Sequence, residues 1–159
     1  MVAASSSGGA GAEVSQMSGA RGDRSVLGTA GRAVLRTAAR GLTGWLFVEA
    51  GYAVVKEPGG RVDLAAGTLD TLRKVVPLPV DDEALVKANG AAQLVAGATL
   101  ALGILPRTSA AVLAASLLPT SVAGHPYWRI DDPAKRAAQK LQFQKNMAML
   151  GGLLFAVIE

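Results

Sequence analysis

The sequence predicts an all-α protein, a four-transmembrane-helix antiparallel bundle with a short interfacial amphipathic helix between helices 1 and 2. Three observations predict it. Half of the residues are hydrophobic and only 18% are charged, the apolar mass being aliphatic and Ala-rich, a balance that tilts towards a membrane protein. Four apolar stretches approach the length that crosses about 30 Å of hydrocarbon as a helix, and Pro, Gly and charged clusters separate them. The segment between the first two has helical hydrophobic periodicity instead of a continuous apolar run.

Composition also excludes several classes. The net charge of +4 comes from 16 Lys and Arg against 12 Asp and Glu. These basic residues are spread along the chain and join no nucleic-acid module, so they read as membrane-flanking charges and no nucleic-acid partner is expected. Without any Cys, the chain cannot supply a disulfide, a thiolate nucleophile or a Cys-ligated metal. A single His makes a His-clustered metal site unexpected.

Residues 1–31 are rich in Ser, Gly and Ala and lack the apolar core of a signal peptide, so they are expected to be a disordered tail ahead of a membrane domain over 35–158. Arg32, Arg36 and Arg40 lead into a first span over 37–55. Glu49 lies six residues from its far end, roughly 9 Å deep at the helical rise. An ionisable residue there marks a functional site, or else a structural carboxyl paired with a neighbour.

Glu57, Pro58, Gly59 and Gly60 end that helix. Val62, Leu69, Leu72 and Val76 then recur at helical spacing, which predicts an amphipathic helix on the membrane surface, broken by Pro77 and Pro79. Asp81, Asp82 and Glu83 supply an N-cap and first-turn acids for the second span, over 86–105. In it Asn89 and Gln93 stand one turn apart on a ridge that continues through Gly97 and Ala101, a face that needs a helical partner.

Pro106 and Arg107 turn the chain into a third span over 108–123. Pro119 frees the carbonyl of Ala115, and Ser109, Ser116 and Thr120 share a face that could re-satisfy freed backbone groups. Gly124 is a candidate C-cap. Asp132 followed by Pro133 predicts the start of the last helix before the membrane. A polar stripe of Lys135, Gln139, Gln142 and Asn146 enters the fourth span, which ends at Ile158. Ala148, Gly152 and Ala156 form a small-residue ridge within it.

Antiparallel neighbours place the first and third connections on one side of the membrane. Counted from that side, Glu49, Asn89, Gln93, Ser116, Thr120 and Asn146 all fall in the same half of the bilayer, with Tyr52, Tyr127 and Trp128 at its interface. The expectation is a half-membrane polar pocket built from Glu49, Asn89, Gln93 and Asn146, roofed by the turn from His125. Such a pocket could receive the head of a lipid-soluble molecule such as a quinone, or relay a proton. The competing reading is that these amides are interhelical glue. His125 is read either as a proton-transfer group at the pocket mouth or as a hydrogen-bonded turn residue. Lys145 is read as contacting headgroups or pairing with Glu49. Catalytic residues are not identifiable, and no metal site is expected. The first and third connections, with the helix ends beside them, carry ten Lys and Arg and the other side six. The arginine lead of the first helix nonetheless favours cytoplasmic N- and C-termini.

The runs NGAAQLVAGATLALGILPRTSA from Asn89, GHPYW from Gly124 and DDPAKRAAQKLQFQKNMAMLGGLLF from Asp131 resemble the DoxX family of small bacterial four-helix membrane proteins, particularly its actinobacterial type. The most specific parts are Asn89-Gly90, the Leu102-Gly103 and Pro106-Arg107 turn, and Lys145-Asn146 followed by Gly151-Gly152. The resemblance implies an integral cell-membrane subunit or accessory of an oxidoreductase system responding to oxidative stress, one that contacts quinone and recruits soluble or membrane redox partner proteins. A structural or assembly protein without a ligand, and a small-molecule or proton carrier, are the alternatives. Glu49 departs from the small or uncharged residue the resemblance leads one to expect.

Overall fold

The computed structural model describes residues 9–77 and 80–158, with side chains described from residue 28 onward. Pro79 and residues 1–8 lie outside the described residues. Five α-helices and one 3-10 turn follow in order: α1 (Gly9–Lys56), α2 (Arg61–Arg73), α3 (Asp82–Ala101), α4 (Pro106–Gly124), the turn Tyr127–Arg129, and α5 (Pro133–Ile158). Among the described residues there is no strand, so the all-α expectation holds. α1 begins at Gly9 and so takes in most of the segment over 1–31 that the sequence sets apart from the membrane domain. A helix already nucleated adds each further residue at far lower cost than its first turn. The chain divides into two compact units, 1–39 and 40–159, and the second holds the hydrophobic core and every polar residue expected in the pocket.

Local chemistry sets the helix limits. The Asp81 carboxylate accepts the Ala84 amide at 2.6 Å, and the Asp132 carboxylate accepts the Lys135 amide at 2.7 Å, so both predicted N-caps are in place. Pro106 opens α4 from Leu105, whose φ of 46° is left-handed. Pro119 faces outward, and the nearby hydroxyls do not serve the carbonyl of Ala115. Thr120 donates instead to the Ser116 carbonyl at 2.8 Å, and Ser121 to that of Leu117 at 2.7 Å.

One hydrophobic core takes Phe47 from α1, Ala96 and Leu100 from α3, Ala110, Leu113, Ala114 and Leu117 from α4, and Leu153 from α5. Packing runs from α3 to α4 and from α4 to α5, while α2 lies against α3 and α4. The approach of α1 to α3 is close enough to need glycine on both sides. A Cβ on Gly51 would stand 2.5 Å from the Gly90 carbonyl oxygen and the Leu94 amide nitrogen; one on Gly97 would stand 2.7 Å from the Gly44 carbonyl oxygen. The pairs Gly44 with Gly97 and Gly51 with Gly90 run in opposite senses along the two helices, as antiparallel packing requires. By contrast, the ridge expected to pack on α5 does so only at Ala156, which lies against the core: Ala148 and Gly152 are exposed, and a Cβ on Gly152 would touch nothing within 4 Å. Met149, Leu150 and Leu153 face the core instead.

Among the described residues one helix, α5, is long and apolar enough to cross a membrane by length and composition. We expect Gly51→Ala to destabilise the bundle by about 1–3 kcal/mol and Gly152→Ala to leave it unchanged, as read from unfolding in mild detergent; equal effects would dissolve the α1–α3 seam.

Candidate functional site

The predicted polar residues fall into three separate places. The first is a clasp between α3 and α4. Asn89 Nδ2 donates to Thr120 Oγ1 at 3.1 Å, and Ser116 Oγ donates to Asn89 Oδ1 at 2.8 Å. Gln93 Nε2 donates to Ser116 Oγ at 2.9 Å and reaches Thr120 Oγ1 at 3.4 Å. Both hydroxyl protons are thereby committed, one to Asn89 Oδ1 and one to the Ser116 carbonyl. Gln93 can therefore meet those oxygens only with its NH2 group, which fixes the orientation of its amide. Its Oε1 accepts none of the described hydrogen bonds although the residue is 4% exposed. The second N–H of Asn89 is likewise uncommitted among them.

The ridge read from the sequence thus splits. Asn89 and Gln93 face α4, whereas Gly97 and Ala101, with Gly90, meet α1. Nearer the turn a second polar contact fixes the same register: Thr99 and Ser109 hydroxyls lie 2.8 Å apart, and Ser109 donates to the Ile104 carbonyl at 3.2 Å.

The second place is on the other side of α4, where Asn146 Nδ2 donates to Ser121 Oγ at 3.0 Å. Asn146 therefore does not join Asn89 and Gln93. Ser121 was not singled out from the sequence; its placement one residue beyond Thr120 on α4 was the available signal, since adjacent helical residues face different neighbours. Above this contact His125 Nδ1 lies 2.7 Å from Gln139 Oε1, so the imidazole ties the end of α4 to α5. Tyr127, Trp128 and Phe143 form a mutual edge-to-face trio beside it, with ring centroids 5.1 to 5.9 Å apart.

The third place is the outside. Glu49 is exposed on α1 and Lys145 is exposed on α5, and the ion pairs of the described residues do not include one between them. The pocket expected from Glu49, Asn89, Gln93 and Asn146 is not assembled as one site. Helical period fixes which residues share a face but not which neighbour the face meets.

On the polar side the connections are braced. Arg73, at the end of α2, pairs with Asp82 at 2.6 Å and donates to the Val80 carbonyl at 2.9 Å, clamping α2 to the start of α3. A Cβ on Gly67 would stand 3.8 Å from the Arg129 guanidinium, so α2 and the 3-10 turn are neighbours. Arg136 donates to the carbonyls of Ile130 and Asp131 at 2.7 and 3.3 Å. Among the described residues no group of three or more His, Cys, Asp and Glu could hold a metal ion.

The model of the DoxX family matches residues 35–126, more than half of the 159-residue chain. The chain belongs to the DoxX family. No curated protein and no solved structure matches it. The matched DoxX residues hold the α3–α4 clasp, α2 and the His125 turn; Gln139, Lys145 and Asn146 lie beyond them on α5. DoxX proteins are membrane proteins linked to oxidoreductase and stress functions, and this chain is a membrane protein on that ground.

Interhelical polar contacts in membranes are worth about 0.6 to 2 kcal/mol each. We expect Gln93→Leu and Ser116→Ala to show a coupling of about 1 kcal/mol in a double-mutant cycle on unfolding, while Glu49→Gln leaves unfolding unchanged. Strict additivity of the first pair would remove the clasp from the energetics.

Proposed function

We propose that this DoxX protein is a non-catalytic cell-membrane subunit of an oxidoreductase system, spanning the bilayer four times and holding a soluble redox enzyme at its polar face. The spans are the part of α1 from residue 37, then α3, α4 and the apolar part of α5, with both termini cytoplasmic. The observation that carries this reading is the braced polar face. There α2, clamped through Arg73, and the Tyr127–Arg129 turn form a fixed platform. It exposes Asp63, Asp70, Lys74, Arg129 and Asp131 together with Leu64 and Leu72. A fixed surface of mixed charge with apolar anchors loses little freedom when a partner docks.

Within the bundle, the clasp supports quinone contact through what it leaves over. The free N–H of Asn89 suits a quinone carbonyl, and Gln93 Oε1 suits the hydroxyl of the reduced form. Closure of every other bond in the clasp favours a second reading, an assembly protein with no ligand among its helices. With no thiol in the chain, electrons in either case belong to the partner or to quinone.

Purification from native membranes in mild detergent tests this. The reading expects a soluble oxidoreductase to co-purify and to be lost on Leu64→Asp with Leu72→Asp while unfolding is unaltered. Retention of that enzyme by the double variant would reject the platform. Quinone that accompanies the wild type and falls at least several-fold in Gln93→Leu would support the ligand; its absence from both would favour the assembly reading.

A further inference from the structure

The two faces of α1 make opposite demands. Gly44, Phe47, Gly51 and Val54 point at α3. At about 100° per residue, Glu49 stands diametrically opposite their mean direction. It shares that outer face with Leu42, Trp45, Tyr52 and Lys56, all exposed. These five residues are spaced three, four, three and four apart, the spacing by which one helix presents a seam to another of its kind. Contacts inside the bundle fix the level of Glu49. The pairs Gly44 with Gly97 and Gly51 with Gly90 set it beside Ala92 and Gln93, so it lies at the depth of the clasp but on the outside.

We propose that α1 is a homodimer interface, in which a second copy of this chain packs its α1 in parallel across a two-fold axis along the membrane normal and the two Glu49 carboxyls hydrogen-bond to each other. This rests on the reading that α1 spans the bilayer. The occupant is a second copy because two-fold symmetry sets each seam residue opposite its own copy at one depth. A carboxyl that holds its proton is donor and acceptor at once, so two carboxyls with a proton between them satisfy one another. Complementarity here is that of the acid with itself. Lys145 of a second copy fits less well. The contact of Asn146 with Ser121 sets Lys145 about five residues nearer the polar surface, or roughly 7 Å. Moreover, helical Cβ atoms tilt towards the N-terminus, which sends Lys145 outward and Glu49 inward. Between Leu42 and Tyr52, Glu49 is the one ionisable residue of the seam, Lys56 lying at the end of α1, and a lone ionisable group at such a position also fixes register and two-strandedness.

Because the chain has no Cys, single cysteines test the seam directly in native membranes. Leu42→Cys, Trp45→Cys and Tyr52→Cys should each give a disulfide-linked dimer, and Ala50→Cys, exposed but off the seam, should stay at background. In the Leu42→Cys background, Glu49→Gln, whose amide also pairs with itself, should keep the crosslink. Glu49→Leu should reduce it about tenfold, with thermal unfolding of the bundle unchanged. Undiminished crosslinking by Glu49→Leu would overturn the carboxyl pair. Arg36→Cys and Gly60→Cys, labelled with a membrane-impermeant maleimide, separate the premise from the proposal. Labelling from the same side overturns the spanning reading and the dimer with it. Labelling from opposite sides, with seam crosslinks no stronger than that of Ala50→Cys, overturns the dimer alone.

Discussion

The structure depends on the clasp between α3 and α4. Gln93 and Ser116 are buried between apolar helices and bond to each other, with half-buried Asn89 and exposed Thr120 completing the set, because an unpaired polar group among hydrocarbon costs several kcal/mol. Asn89 with Thr120 and Gln93 with Ser116 meet in one antiparallel register only. A slip of one residue would turn these side chains away from each other. Thr99 with Ser109 continues this register to within one residue near the turn, beside the left-handed Leu105.

Once α3 and α4 are fixed, the other helices take the faces that remain. The small residues of α3 admit α1 to backbone contact at Gly90 and Gly97, and the far side of α4 receives α5 through Ser121 and the core leucines. Such close approach has a consequence for charge. A glycine seam on one face of α1 turns the opposite face outward, and Glu49 goes with it. The carboxyl is thereby kept out of the bundle and presented to whatever surrounds it.

The polar side differs in kind. There the contacts are ionic and to carbonyls: Arg73 to Asp82 and Val80, Arg136 to Ile130 and Asp131, His125 to Gln139. The Arg73–Asp82 pair is partly buried, and together with these hydrogen bonds to carbonyl oxygens it restricts how the short connections move. The bundle thus carries a braced surface on one side, and the clasp that supports it lies directly beneath.

Much of this was legible in the sequence because it is local. Asp81 and Asp132 announce helix starts through groups that act within one turn, and α3 and α5 begin there. The all-α class, a separate helix between the first two apolar stretches and DoxX membership followed from composition, periodicity and the residues about Asn89 and Gly124. The candidate site was legible only in part. Asn89, Gln93, Ser116 and Thr120 do meet, as paired polar faces on antiparallel neighbours should. Glu49 and Asn146 do not join them, and Gly152 packs nothing. By itself the sequence determined where α3 and α5 begin and which residues share a helix face, since backbone chemistry and the helical period are properties of the segment. Only the tertiary structure decided which neighbour each face meets, because that rotation about the helix axis is set by the competition of all faces at once for contact and hydrogen bonds.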